Sequence, residues 1–237
     1  VFGGEGGFGG SASSSPAIQL PSALGTLLFW LRNSTGLFQD AGKTTPATNN
    51  GDPVGCWADQ SGNANDFTTG TAGFRPLRQA AGAITFDGVD DILTGTNATT
   101  LKPATFFCLI NVTSIAGNNY MLGSVVNGAL GVNANTSFLQ LNTTSTALIN
   151  TCSIQIAAGV PTRIIVSYDG SGNFAWYING VSGGTGLNNV AVVSSIPSIG
   201  FAGSSLFIGG TVKDYGAYNA AISAGNAALL DAYLASL

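Results

Sequence analysis

Short apolar segments, each closed by glycine, asparagine, serine or proline, set the limits on how this chain can fold. Leu27-Leu28-Phe29-Trp30-Leu31 and Thr105 to Val112 are continuous apolar runs of strand length, the kind buried between two layers, and both are expected as central strands. Thr162 to Asp169, the turn Gly170-Ser171-Gly172, and Asn173 to Asn179 followed by Gly180 read as a β-hairpin. Within it Ile164, Val166 and Tyr168 alternate against Phe174, Trp176 and Ile178, so one face of the pair belongs to a core. Further β-rich runs fall at 83–86, 120–126, 137–141, 146–156, 190–193, 205–208 and 212–218, separated by turn-forming clusters. So many strands without intervening helices predict an all-β, two-sheet antiparallel sandwich. Only the end has helical spacing. Ser223 can cap, and Leu229, Leu230, Tyr233, Leu234 and Leu237 recur every three or four residues, predicting one helix over 223–236 laid against the sandwich.

Hydrophobic residues make up 45% of the 237, enough for a core, and the length suits one all-β domain. The seven Lys and Arg are scattered singly in a chain of net charge −4, which gives neither a nucleic-acid footprint nor a polybasic membrane anchor. No apolar run reaches the length of a membrane-spanning helix. There is no histidine, so a Ser-His-Asp triad, a His-ligated zinc and an imidazole switch are excluded. The sole glutamate is Glu5, in a glycine run; any acid–base carboxylate pair must come from aspartates. Cys56, Cys108 and Cys152 form no CxxC and are expected to be chemically inert, Cys108 as a buried thiol.

Residues 1–23 read as a Gly/Ser-rich N-terminal arm or linker, and 24–237 as the folded domain. Phe2 and Phe8 are aromatic beads in that arm, expected to dock on other protein subunits of an assembly; a plain linker is the alternative. The chain opens on Val1 rather than methionine, which leaves open a preceding export signal.

Cys56-Trp57-Ala58-Asp59-Gln60-Ser61-Gly62-Asn63-Ala64-Asn65-Asp66-Phe67 is followed by Arg75-Pro76 and by Phe86-Asp87-Gly88-Val89-Asp90-Asp91. Tyr168-Asp169-Gly170, Trp176-Tyr177-Ile178-Asn179-Gly180 and the closing Tyr215 to Tyr233 segment complete four ordered blocks. Together they resemble the concanavalin A-like lectin/glucanase superfamily in its laminin-G-like jelly-roll branch, over roughly 24–237. The resemblance implies a jelly-roll sandwich with structured acidic loops. There are departures: Arg32-Asn33 stands where relatives carry Asp-Ala, Asn226 stands where a glutamate completes the capping box, and the Glu-x-Asp-x-x-Glu strand of the glucan-cleaving members is missing. Consecutive Asp90 and Asp91 would point to opposite faces of a strand, so no catalytic pair is expected from them.

Asp59, Asn63, Asn65, Asp66, Asp87, Asp90 and Asp91 supply oxygen-bearing side chains for which calcium is the candidate ion. The favoured reading of the same side chains is as caps of tight Ser-Gly-Asn and Asp-Gly turns, which the lost acid at position 32 supports. Trp57, Tyr120, Tyr177 and Tyr215 are the candidate platforms for stacking on sugar rings, against the alternative of packing within the sandwich. The expectation is a non-catalytic structural or adhesive protein of a virion surface, such as a tailed-phage head decoration or fibre protein, binding surface glycans. The alternative is a carbohydrate-binding module of a secreted or cell-surface bacterial protein.

Overall fold

A computed structural model of the chain describes residues 18–96, 104–115, 119–124, 129–132, 138–142, 148–171, 173–187, 197–202 and 206–237; over 119–151, and at 187, 197, 201–202 and 206, it describes the backbone alone. Two antiparallel sheets build the fold. The first runs in the order β15 (Val181–Leu187), β14 (Asn173–Ile178), β13 (Thr162–Tyr168), β8 (Ala104–Val112), β19 (Gly209–Tyr218), β6 (Ile84–Asp87) and β5 (Leu77–Arg78), with β1 (Leu27–Leu31) also paired to β19. The second runs β12 (Leu148–Gln155), β11 (Phe138–Asn142), β10 (Ala129–Val132), β9 (Asn119–Ser124), β16 (Pro197–Ile199), β7 (Leu93–Gly95), β4 (Phe67–Thr68), β3 (Cys56–Trp57) and β2 (Leu37–Phe38). A small hairpin joins β17 (Phe201–Ala202) to β18 (Leu206–Phe207).

The main core lies between the sheets. Phe29, Ile84, Phe86, Cys108, Val166, Trp176 and Tyr215 of the first meet Leu37, Trp57, Phe67, Leu93, Cys152 and Ile199 of the second. In the hairpin, Ile164 pairs with Ile178, Val166 with Trp176 and Tyr168 with Phe174, the alternation visible in the sequence.

The opposite face of the first sheet is covered by α1 (Ala224–Ala235). Ala227, Leu230, Tyr233 and Leu234 pack there against Leu24, Leu27, Trp30, Phe107, Leu109, Ile165 and Tyr218. This second layer explains why the runs through β8 and β13 are apolar on both faces. Ser223 is the N-cap, its hydroxyl accepting from Asn226 N at 3.2 Å. Asn226, in place of a capping glutamate, sends its amide to Leu24 O at 3.0 Å. Tyr218 donates to Pro21 O at 2.9 Å, so residues near the two ends of the described chain are tied side by side. No helix among the described residues is long and apolar enough to cross a membrane.

One expectation needs correction. β8 is central, but β1 is not: it pairs only with β19, on the edge where β6 pairs further along, from Leu27 opposite Tyr218 to Leu31 opposite Tyr215. Its continuous apolar run reflects burial by the second sheet on one face and α1 on the other.

Candidate functional site

The Asp59–Asp66 loop supplies what β1 lacks on its open edge. Asp59 Oδ1 accepts from Trp30 N and Ser61 N, both at 2.8 Å, while Oδ2 accepts from Ser61 Oγ at 2.7 Å and Asn65 N at 3.0 Å. Gln60 N donates to Trp30 O at 2.8 Å. The Asn63 amide donates to Leu27 O and the Asn65 amide to Leu28 O, each at 2.7 Å. Asp66 accepts from Asp59 N at 2.9 Å and pairs with Lys43 at 2.6 Å. Side chains and turn amides thus stand in for a neighbouring strand and close an edge that would otherwise recruit one. Of the two roles open for Asp59, Asn63 and Asp66, capping is the one whose hydrogen bonds are in place.

Asp87, Asp90 and Asp91 form a separate group in the loop from β6 to β7. One carboxylate oxygen from each lies within 4.8 Å of those of the other two. The opposite-faces expectation for Asp90 and Asp91 is therefore overturned: both lie in a loop, where strand alternation does not apply. Asp87 Oδ1 accepts from Val89 N at 2.8 Å and Asp90 N at 3.3 Å, and Asp91 Oδ2 accepts from Asp87 N at 2.8 Å. Gly88, at φ +80°, lets the loop pass Gly209; a Cβ there would lie 3.1 Å from the Gly209 Cα. Asp91 is only 7% exposed. Burial, reinforced by the charges of Asp87 and Asp90, pushes its carboxyl up to about 6. Three mutually repelling carboxylates offer hard oxygen donors that a cation such as calcium would relieve.

The aromatic candidates separate. Trp57 is fully buried and donates from Nε1 to Arg32 O at 3.1 Å; Tyr215, 2% exposed, packs with Phe29 and Phe67 at 4.9 and 5.9 Å between centroids. Both are core residues with no face left for a sugar, a correction to their reading as platforms. Tyr177 is half-buried beside the α1 layer, and Tyr120 lies on β9, whose side chains are outside the described residues, as are Phe2 and Phe8. The cysteines are buried free thiols, Cys56 pushed by burial to about 12.

Sequence reasoning missed Asp214. At a register shift in β19 its carboxylate is fully buried and accepts from Trp30 Nε1 at 2.9 Å, Asn33 N at 3.0 Å and Tyr233 OH at 3.0 Å. Desolvation outweighs those bonds and pushes the carboxyl up to about 7. Sealed from solvent, it joins β1, β19 and α1 and is not placed to act on a substrate.

No family model matches the chain, and no curated protein matches its sequence. Among solved structures, domain 4 of AbnA, a GH43 extracellular arabinanase from Geobacillus stearothermophilus, in complex with arabinotriose, is similar at 14% identity and a TM-score of 0.58; 77% of this chain covers all of that domain. The binding domain of botulinum neurotoxin DC, in complex with rat synaptotagmin II, is similar at 11% identity and 0.61, over 88% of this chain and 52% of that one. Trypanosoma rangeli sialidase is similar at 13% identity and 0.59, the chain spanning 32% of its length. At such identities the likeness is one of fold alone: a jelly-roll β-sandwich.

Proposed function

We propose that this chain is a non-catalytic carbohydrate-binding sandwich, with the Asp87–Asp91 loop as a calcium-dependent contact for sugar hydroxyls. The observation that carries the reading is the convergence of Asp87, Asp90 and Asp91 within 4.8 Å in one loop. Most glycoside hydrolases set two carboxyls on opposite sides of the scissile bond; three gathered around one point suit a shared cation better. The fold likeness to an arabinanase domain in complex with arabinotriose supports the ligand class. Display on a virion or bacterial surface, with residues 1–23 as tether to other subunits, is the setting this reading implies.

The test is a glycan array read with calcium and with a chelator, followed by product analysis of the mixtures. Calcium-dependent retention that is lost in Asp90→Ala, with the sugars recovered intact, is expected. Cleaved sugars would overturn the non-catalytic assignment, and binding indifferent to both calcium and Asp90→Ala would remove the loop from it.

A further inference from the structure

The opposite end of the first sheet holds a built groove. β19 begins at Gly209, beside Asp87, and runs ten residues to Tyr218; at about 3.4 Å per residue its ends lie roughly 30 Å apart. Beyond Tyr218 the chain is pinned across the sheet end. Thr105 Oγ1 donates to Ala220 O at 2.9 Å, and Ile222 N donates to Thr105 Oγ1 at 3.1 Å and Ser167 Oγ at 3.2 Å. Between this segment and the β13–β14 turn lies an open groove of about 660 Å³ lined by Ser167, Asp169, Asn173, Ala175, Thr185 and Ile222, among others. That size falls within the range of small-molecule sites.

The groove's chemistry is selective. Thr105 gives its proton to Ala220 O, so in the 3.0 Å contact between the two hydroxyls Ser167 is the donor. Ser167 is thereby committed to the floor. The groups left for a ligand are on the rim: the exposed Asp169, Asn173 and Thr185. Asp169 is held in place by accepting from Ser171 N at 2.7 Å, Asn173 N at 3.1 Å and the Asn173 amide. The Asn173 amide, then the Ser171 N–H, keeps its carboxyl below the usual range, so it is an anionic acceptor. Ala175, Gly186, Ala221 and Ile222 supply apolar walls, and among the described residues no basic side chain lines the groove. A fitting ligand brings hydroxyl donors and C–H faces and carries no negative charge.

We infer that this groove binds a segment of a neutral oligosaccharide, a second contact at the end of the sandwich opposite the Asp87–Asp91 loop. The inference rests on the carbohydrate-binding reading and deepens it. The probes are paired neutral and sialylated oligosaccharides, titrated calorimetrically against the whole chain, against Thr185→Arg, which puts a bulky side chain into the groove from an exposed position, and against Asp169→Asn and Asp90→Ala. Unchanged melting temperatures confirm that the variants fold.

Neutral sugars binding to the parent, with affinity reduced about tenfold or more by Thr185→Arg and by loss of the charge-assisted bond in Asp169→Asn, are expected. Sialylated counterparts should bind more weakly than neutral ones. Full binding by Thr185→Arg with loss in Asp90→Ala would overturn the groove while leaving the general reading intact. Equal binding of sialylated and neutral sugars would overturn the selectivity assigned to Asp169. Absence of binding by any probe would remove both readings.

Discussion

The substitution Asp214→Asn should reverse its effect on stability across the neutral pH range. The carboxyl has an ordinary value of 3.8 in the unfolded chain and about 7 in the folded one, because burial opposes its charge. Between those values the folded protein holds a proton that the unfolded chain has released. Stability from this group is therefore complete below about pH 4, falls as pH rises, and is lost above about pH 7. The span corresponds to on the order of 4 kcal/mol at 1.36 kcal/mol per pH unit.

The amide cannot titrate, so that slope disappears. Nor can an asparagine side chain at this position accept from all three of Trp30 Nε1, Asn33 N and Tyr233 OH, since its NH₂ group must face at least one donor. That mismatch costs about 1–3 kcal/mol. The variant should be the less stable protein near pH 4 and the equal or more stable one near pH 8. Urea unfolding followed by tryptophan fluorescence, stepped across that interval, gives both curves. Asp91 titrates in both proteins, so its contribution cancels in the difference. Two curves that remain parallel would refute the assignment of the buried charge to Asp214.

Other outcomes follow from the loops and the arm. Asn65→Ala removes the shorter of the two amide bonds to Leu28 O, leaving that from Asn63 at 3.2 Å, and should cost about 1 kcal/mol in urea unfolding; with Asn63→Ala added, the opened edge should raise light scattering as chains pair. Calcium should raise the melting temperature, and its affinity should fall as pH drops below about 6, where Asp91 takes up a proton; the calcium shift should vanish in Asp87→Asn/Asp90→Asn. Deleting residues 1–15 should leave the melting temperature unchanged and abolish association with a larger particle, measured by light scattering. If the intact chain and the truncation are both monomers, the virion setting loses its support.

The hairpin from Thr162 to Asn179 was legible because β14 alternates with period two over its six residues, β13 is a near-continuous apolar run, and the turn between them is glycine-rich. The pieces β2, β3, β4, β5 and β7 were not, since pairing over two or three residues leaves no period to detect. β1 has the composition of a central strand because composition records which faces are buried and says nothing of how an edge is satisfied. Asp90 and Asp91 were misplaced by applying strand alternation to a loop. Trp57 and Tyr215 have the side chains of a sugar platform and the positions of a core, a distinction that exists only once the second sheet is laid down. The groove joins residues near 167–186 to 221–222, which no local pattern connects.

The ties of Pro21 and Leu24 to Tyr218 and Asn226 impose an order on biosynthesis. The Pro21 carbonyl waits 197 positions for the Tyr218 hydroxyl, and the Leu24 carbonyl 202 for the Asn226 amide. At translation rates of about 5–20 residues per second, β1 stays without its partner for roughly 10–40 s. Throughout that interval Leu27, Phe29, Trp30 and Leu31 have neither β19 nor α1 to cover them. A strand made well before its partners is thus among the last to be shielded, and a nascent chain that stalls before residue 209 presents that apolar strand to chaperones and proteases.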